Sequence, residues 1–258
     1  MVSGPAHSSS VDEAEVARFS RLAAGWWNPR GEMAALHKLN PVRLAYIRDT
    51  ACRTFGRDPK RLDCLAQLRI LDIGCGGGIL SEPLARLGGT VVGADPSATN
   101  IAVARRHAEQ SGVPVEYRET TAESLAQAQE RFDLVLAMEV VEHVADVPLF
   151  IKSCAELTRP GGLMITATIN RTLKSFALAI VGAEYILRWL PRGTHQWDKF
   201  ITPDELEIAI EKVGLRVTDE RGVIYNILAD AWQLSTDLDV NYMVAAEKPM
   251  SASLPTTV

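Results

Sequence analysis

The stretch Leu71-Asp72-Ile73-Gly74-Cys75-Gly76-Gly77-Gly78 decides the fold. It joins a short apolar run to a segment with leucines at helical spacing, at Leu80, Leu84 and Leu87. Glycines at a strand-to-helix junction let the backbone turn sharply and approach a ligand closely, as they do where doubly wound folds bind nucleotides. We therefore predict a ligand site at the carboxyl end of a first strand.

Further apolar runs alternate with helix-length segments along the chain. This alternation predicts βαβ units, and hence an α/β fold with a mostly parallel sheet and helices on both faces. Two later runs, 215–225 and 240–247, predict an antiparallel hairpin at the sheet edge. The expected parallel strands are 68–73, 90–94, 115–118, 133–137 and 163–169.

The segments outside this alternation predict an N-terminal helical cap. Residues 12–27 have apolar residues at helical spacing with Asp12 as N-cap, and a second helix is expected to open at Pro41 and end near Phe55. The predicted organisation is a disordered tail over 1–11, a cap over 12–67, a ligand-binding domain over 68–248 and a C-terminal tail over 249–258. An insertion over 171–200 interrupts the domain.

Composition excludes several classes of protein. With 258 residues, of which 47% are hydrophobic and 23% charged, the chain can bury a large core, unlike disordered or disulfide-stapled chains. The net charge of -5, without a basic stripe, argues against nucleic-acid binding. The cysteines form no C-x-x-C pair, which indicates reduced thiols and no zinc site.

The N-terminus and the apolar runs bear on localisation. No signal peptide is apparent, and no apolar run approaches the roughly 18 residues of a spanning helix. We therefore expect a cytoplasmic protein.

Asp95 narrows the choice of ligand. It ends the second expected strand 21 residues after Gly74, where a carboxylate can accept both hydroxyls of a ribose. A dinucleotide fingerprint would need glycine at position 79, which is Ile79. The chain also has no Tyr-x-x-x-Lys and no Gly-Lys pair, so neither a short-chain dehydrogenase nor a P-loop is indicated.

The pattern of Asp72, Gly74, Gly76 and Gly78 resembles motif I of class I S-adenosylmethionine-dependent methyltransferases. This resemblance implies a Rossmann-like fold and a role for Asp72 beside the amino group of the methionine moiety. Where such enzymes often carry Asp-Ala near the adenine, this chain has Thr121-Ala122-Glu123, so the adenine contact stays unassigned.

Other blocks narrow the resemblance to the ubiquinone-biosynthesis O-methyltransferase family. They are Trp26-Trp27, Leu36 to Leu44, Met138 to Val144, Val181 to Leu187, Gly193-Thr194-His195 and Val240 to Met243.

This family resemblance implies both O-methylations of the pathway, on a polyprenyl benzenediol (2-polyprenyl-6-hydroxyphenol) and on demethylubiquinol. It also implies cofactor contacts at Arg43, Gly74, Asp95 and Met138, and it is compatible with a place in a ubiquinone-biosynthesis assembly. A guanidinium at Arg43 could pair bidentately with the methionine carboxylate. The early helices are expected to cap the cofactor.

Phenol methylation requires a phenolate, and a phenol titrates near pH 10, so a base or a cation is needed. Glu139, Glu142 and His143 would share one helical face, where they could bind Mg²⁺ across both catechol oxygens or merely cap a helix. We count Glu139 and His143 as catalytic candidates. His195 is a further candidate base, against the alternative of a structural loop histidine.

The inserted segment suits an apolar substrate. Residues 171–192 carry four cations and one acid beside a broad apolar face, which is typical of a helix lying in a membrane interface and equally of a lid packed on the sheet. Two alternative functions stay open: methylation of another small phenol or acid, and a non-catalytic lipid-binding subunit. The joint presence of Asp72, Gly74, Gly76 and Asp95 argues against the second.

Overall fold

The fold is seen in a computed structural model, which describes residues 9–176, 197–226 and 228–250. Eight strands form one sheet in the order β3-β2-β1-β4-β5-β8-β6-β7. The strands from β3 to β5 are parallel, whereas β8, β6 and β7 are antiparallel to their neighbours. The bounds are β1 Arg69–Ile73, β2 Thr90–Asp95, β3 Val115–Glu119, β4 Phe132–Met138, β5 Thr158–Ile169, β6 Arg216–Asn226, β7 Ala231–Ser235 and β8 Asn241–Glu247.

Helices cover both faces of this sheet. They are α1 Glu13–Leu22, α2 Ala34–Thr54, α3 Ser81–Arg86, α4 Ala98–Ser111, α5 Ala122–Gln127, α6 Val147–Leu157, the single turn α7 Leu173–Ser175 and α8 Pro203–Lys212. Short 3₁₀ turns occur at Ala23–Gly25, Val141–His143 and Trp197–Lys199.

The central strands are apolar throughout because both of their faces are buried. Every residue of β4 is buried. On one side its side chains pack with those of α6 and α8, such as Ile151 and Leu206. On the other side they pack with those of α2 and α3, such as Ile47 and Leu84. Since each such side chain contributes about 1.5–3 kcal/mol when fully buried, the two layers fix the carboxyl ends of β1, β2 and β4 at one edge.

The N-terminal cap differs in detail from the prediction. Asp12 caps α1, accepting hydrogen bonds from the Ala14 and Glu15 amides at 3.0 and 3.3 Å. The prediction that the second helix opens at Pro41 is wrong, because α2 begins at Ala34 and contains Pro41. Proline lacks only one N–H, and the packing of the rest of a long helix can outweigh that loss.

Residues at the end of the predicted tail are ordered. Ser10 is 1% exposed, its carbonyl accepts a hydrogen bond from the Ala145 amide at 2.7 Å, and Val11 forms a β-bridge with Val144. We call residues 9–12 the N-terminal strap.

The late strands also need a correction. β6 and β8 pair as predicted, but β8 lies inside the sheet between β5 and β6. The edge hairpin is formed by β6 and β7, and β7 had no distinct sequence signal. Most of the predicted insertion, residues 177–196, lies outside the described residues.

Candidate active site

A cavity of about 900 Å³ opens at the carboxyl ends of the parallel strands. Its walls run from the glycine turn after β1, past the ends of β2 and β4, to strands β6 and β7. The cap helices α1 and α2 and the N-terminal strap close its outer side. The cavity therefore has a polar half beside the glycines and an apolar half beside the edge hairpin.

The glycine turn forms the floor of the polar half. Gly74, Gly76 and Gly78 all have positive φ, at 68°, 52° and 87°, a conformation that costs other residues free energy. A Cβ atom at Gly76 would lie 2.4 Å from the Trp26 ring. Glycine is thus needed here both for the turn and for the close approach of the cap.

Asp95 stands beside this turn at the end of β2. Its Oδ2 accepts a hydrogen bond from the Gly76 amide at 3.0 Å. Its Oδ1 accepts from the Ser97 amide at 2.8 Å and from Asn100 Nδ2 at 3.3 Å. Burial raises the pKa of Asp95 above its ordinary value, although these hydrogen bonds oppose the shift. The carboxylate lines the cavity and keeps lone pairs for ligand hydroxyls.

Asp72 and Arg43 form the charged end of the polar half. Burial raises the pKa of Asp72 to about 6, against the opposing effects of the Ser81 hydrogen bond and the Arg43 charge. Arg43, on α2, is 5% exposed and its Nε has no hydrogen-bond partner. Burial lowers the pKa of Arg43, while Glu139 and Asp72 raise it. A buried cation beside a buried acid suits a ligand that carries both a carboxylate and an ammonium group.

Met138 and Glu139 close the polar half at the end of β4. Met138 is buried, and Glu139 adopts φ of 57° while its amide donates to the Ala167 carbonyl at 2.9 Å. Non-glycine residues in this conformation are strained and concentrate at functional sites. Both side chains line the cavity.

Glu142 and His143 follow on a short 3₁₀ turn, Val141–His143. Glu142 accepts a hydrogen bond from Thr168 Oγ1 at 2.8 Å, and burial, together with the Glu139 charge, raises its pKa to about 8. His143 Nδ1 lies 3.1 Å from Glu15 Oε2. Burial raises the pKa of Glu15, but the hydrogen bond and charge of His143, together with the charges of Arg18 and Lys199, outweigh it, so the pKa is lowered.

The cap contributes polar contacts that the sequence did not indicate. Trp26 Nε1 donates to Asn100 Oδ1 at 2.9 Å, which connects the cap to Asp95 through Asn100. Trp27 Nε1 donates to the Gly77 carbonyl at 2.8 Å, and its ring stacks on His107 with centroids 3.4 Å apart. The tryptophan pair thus holds the cap on the glycine turn.

Comparison with known proteins identifies the family. A family model described as a methyltransferase domain matches residues 71–166. The ubiquinone biosynthesis O-methyltransferase of Rhodopseudomonas palustris (strain BisB18) is 62% identical over 245 residues, which cover 95% of this chain and 96% of that protein. Its counterpart in Chelativorans sp. (strain BNC1) is 61% identical over 249 residues, covering 96% and 98%. The chain belongs to the ubiquinone biosynthesis O-methyltransferases.

Solved structures with lower identity share the fold of this O-methyltransferase. Magnesium protoporphyrin IX methyltransferase from Synechocystis PCC 6803 with bound SAH gives a TM-score of 0.60 at 18% identity, covering 89% of this chain and 93% of that chain. A possible histamine N-methyltransferase from Thermotoga maritima gives 0.59 at 18% identity, covering 91% and 99%. The predicted class I methyltransferase fold is confirmed.

Family and fold together confirm S-adenosylmethionine as the methyl donor. The residues of this O-methyltransferase fit that cofactor, because Arg43 Nε is buried without a partner and the cavity floor has no side chains at Gly74 and Gly76. Arg43, Asp72, Gly74, Gly76, Asp95 and Met138, the predicted cofactor contacts, all line this one cavity.

In this O-methyltransferase, the structure differs from the magnesium site predicted for Glu139, Glu142 and His143. The helical face predicted for Glu139, Glu142 and His143 is wrong, because Glu139 adopts a left-handed conformation and only a 3₁₀ turn follows. Within the described ranges, no group of three or more His, Cys, Asp and Glu side chains could hold a metal ion. In this trio, His143 Nδ1 lies against Glu15 and Glu142 Oε2 accepts the hydrogen bond from Thr168.

Two further predictions concern the insertion and the cysteines of this O-methyltransferase. His195, the other predicted base, lies outside the described residues, as does most of the segment expected at the membrane. No helix in the described part of the chain is both long and apolar enough to cross a bilayer. The cysteines are free and buried, as expected: Cys52, Cys64, Cys75 and Cys154.

Proposed function

We propose that this O-methyltransferase methylates the phenolic hydroxyl of 2-polyprenyl-6-hydroxyphenol and that of demethylubiquinol. The observation that carries the proposal is the continuous cavity, which joins a polar half suited to S-adenosylmethionine to an apolar half suited to a prenylated ring. The curated relatives are named ubiquinone biosynthesis O-methyltransferases, and this chain matches them over nearly their whole length. Their names support the same substrate class.

In the polar half, the chain's own residues bind and orient the donor. Arg43 supplies a guanidinium for the methionine carboxylate, Asp72 a carboxylate for the ammonium group, and Asp95 a carboxylate for the ribose hydroxyls. The bound donor supplies an electrophilic methyl group on a sulfonium. Because methyl transfer to a phenolate cancels opposite charges, alignment and exclusion of water are the main tasks of the protein.

In the apolar half, strands β6 and β7 supply a wall for the acceptor. Val223, Ile224, Tyr225 and Trp232 line the cavity there, and the Tyr225 and Trp232 rings meet edge to face with centroids 5.3 Å apart. Lys38 anchors the hairpin from α2 through an ion pair with Asp230 at 2.8 Å. Such a wall suits the aromatic ring and the first isoprene units of the substrate.

In this proposal, His143 is the general base that removes the proton of the phenol. Its Nδ1 faces Glu15, and a carboxylate behind an imidazole fixes the tautomer and raises the basicity of the ring. Phe19 packs edge to face on the same imidazole with centroids 5.0 Å apart, which holds its plane. His143 and Glu139 both line the cavity, so a phenol hydroxyl can meet either side chain, and His195 stays an alternative base.

The test of this assignment is a pH–rate profile of methylation. We expect His143→Gln to lower kcat by about 10²-fold to 10⁴-fold at neutral pH and to recover rate as the pH approaches 10, where the phenol ionises unaided. Glu15→Gln should show a smaller loss. Glu13→Gln, an exposed acid on the same helix, is the matched control and should match wild type. A neutral-pH kcat for His143→Gln within threefold of wild type would withdraw the base assignment and leave His195 to be tested.

A peripheral membrane contact through residues 171–192 belongs to the same proposal. Among the described residues of this region, Leu173 is 82% and Phe176 44% exposed. Arg171 and Lys174 are already paired with acids, Arg171 with Glu205 and Lys174 with Asp237, so the apolar side chains carry the support. Replacing Leu173 and Phe176 by Ala should weaken co-sedimentation with anionic vesicles by about tenfold or more, and unchanged binding would refute this contact.

A further inference from the structure

Lys199 connects the inserted segment to the N-terminal cap. It ends the 3₁₀ turn Trp197–Lys199, close to the end of the insertion over 171–200. Its Nζ donates a hydrogen bond to Asp12 Oδ2 at 2.9 Å and lies 4.0 Å from Glu15 Oε1. Asp12 is the N-cap of α1, Glu15 lies in its first turn, and both line the cavity. A lysine from the insertion therefore reaches the wall of the active site.

Glu15 lies between Lys199 and His143. Its Oε2 is 3.1 Å from His143 Nδ1 and 2.7 Å from Arg18 Nη2, whereas its Oε1 is the oxygen nearer Lys199. A glutamate side chain has several staggered rotamers, and cations beside both oxygens favour the one in which Oε2 meets the imidazole. The side chain of Glu15 is 9% exposed and that of Lys199 28%, so water screens their attraction less than at an open surface.

The backbone beside Lys199 is fixed to the core. The Phe200 carbonyl accepts a hydrogen bond from Arg171 Nη1 at 3.0 Å, which joins the two ends of the insertion. The Ile201 amide donates to the Ile169 carbonyl at 3.3 Å, and Phe200 is 1% exposed. This attachment restricts where the ammonium group of Lys199 can lie, so its position relative to the cap depends on the base of the insertion.

We propose that Lys199 is a positioning residue, which holds Glu15 against His143 and so couples the inserted segment to the general base. The inference rests on the proposed function in taking His143 as that base. Because the alignment of a base affects proton transfer and not substrate binding, loss of the contact should lower kcat and leave KM nearly unchanged. The competing role is structural only, an anchor for α1 through Asp12, the nearer partner of Lys199.

A double-mutant cycle on kcat separates these two roles. The assay uses full-length protein, S-adenosylmethionine and a phenol that wild type methylates, and each rate is divided by the concentration of sites that bind S-adenosylhomocysteine. We expect Lys199→Met to lower kcat by about threefold to tenfold. In the Glu15→Gln background the same replacement should change kcat by less than about twofold, because the carboxylate that Lys199 positions is gone. Lys199→Arg keeps the charge and should recover most of the rate.

A second cycle, with Asp12→Asn, is the matched control. Asparagine is as good an N-cap as aspartate, so this variant removes the charge of Asp12 and keeps the start of α1. Lys199→Met should still lower kcat by about threefold to tenfold in this background. Lys152→Met, at an exposed lysine 3.9 Å from Glu156, should match wild type.

Three results would overturn the proposal. They are a kcat for Lys199→Met within about twofold of wild type, an equal loss in the wild-type and Glu15→Gln backgrounds, and a loss that disappears with Asp12→Asn. Failure of the proposed function gives a different result. A wild-type protein that leaves polyprenyl phenols unmethylated would reject the substrate, while the cycles can be run on any phenol that it methylates. A normal kcat for His143→Gln would reject the base.

Discussion

Replacement of Arg43 by Met tests the charged end of the cofactor site. Arg43 is almost completely buried, and its Nε lacks a partner inside the protein, so water screens its charge little. Losing a buried, bidentate pair with a carboxylate costs about 2–5 kcal/mol, which corresponds to about 30-fold to 5,000-fold in Kd. We expect that weakening for S-adenosylhomocysteine.

The assay is isothermal titration calorimetry with the non-reacting product at neutral pH. Arg43→Lys keeps the charge without the planar fork and should give an intermediate loss. Arg48→Met removes a more exposed arginine of the same helix, paired with Asp49 at 2.7 Å, and should bind like wild type. A folded Arg43→Met protein with a Kd within threefold of wild type would refute the assignment of Arg43 to the cofactor.

Three further predictions concern stability, pH and metal. In denaturant titrations, Gly76→Ala should lower the free energy of unfolding by about 2–4 kcal/mol, because its Cβ would lie 2.4 Å from Trp26. Gly112→Ala is the control, since Gly112 has φ of 64° but open space around it, and it should lower the free energy by only about 1 kcal/mol. Equal losses in the two variants would contradict the packing argument. The affinity for S-adenosylhomocysteine should fall about tenfold per pH unit below about pH 6, because burial raises the pKa of Asp72 to about 6 and the ligand ammonium group pairs with the ionised acid. Asp72→Asn should abolish this pH dependence. An unchanged pH profile in that variant would exclude Asp72 as its cause. A chelator should leave kcat unchanged, because the proposed base His143 removes the phenol proton without an ion; a rate that falls with chelator and returns with added Mg²⁺ would contradict this.

The cofactor half of the site could be predicted because its signal is local. Asp72 lies on β1, the glycine turn follows it, and Asp95 ends β2. Neighbouring parallel strands bring their carboxyl ends together at one edge of the sheet, independently of the rest of the chain. Gly74 and Asp95 therefore face one cavity, as their spacing indicates. Arg43 was placed by family resemblance, since its approach depends on how α2 packs.

The remaining features depend on contacts between distant parts of the chain. Glu15 reaches His143 across 128 residues of sequence, and Ser10 reaches Glu123 across 113, so neither pattern nor spacing could indicate them. The helix expected around Glu142 fails for a local reason, the left-handed backbone at Glu139, which non-glycine residues adopt only where the surrounding structure imposes it. The edge strand β7 gives little sequence signal, because it has only five residues and none of them is buried.

The most direct measurement is a single incubation of the full-length protein with S-adenosylmethionine and a short-chain 2-polyprenyl-6-hydroxyphenol, followed by mass spectrometry of the extracted lipid. The proposed function predicts that the phenol gains one methyl group and that S-adenosylhomocysteine forms in equal amount. An unmodified polyprenyl phenol, from a preparation that binds S-adenosylhomocysteine and methylates a small phenol without a prenyl tail, would contradict it.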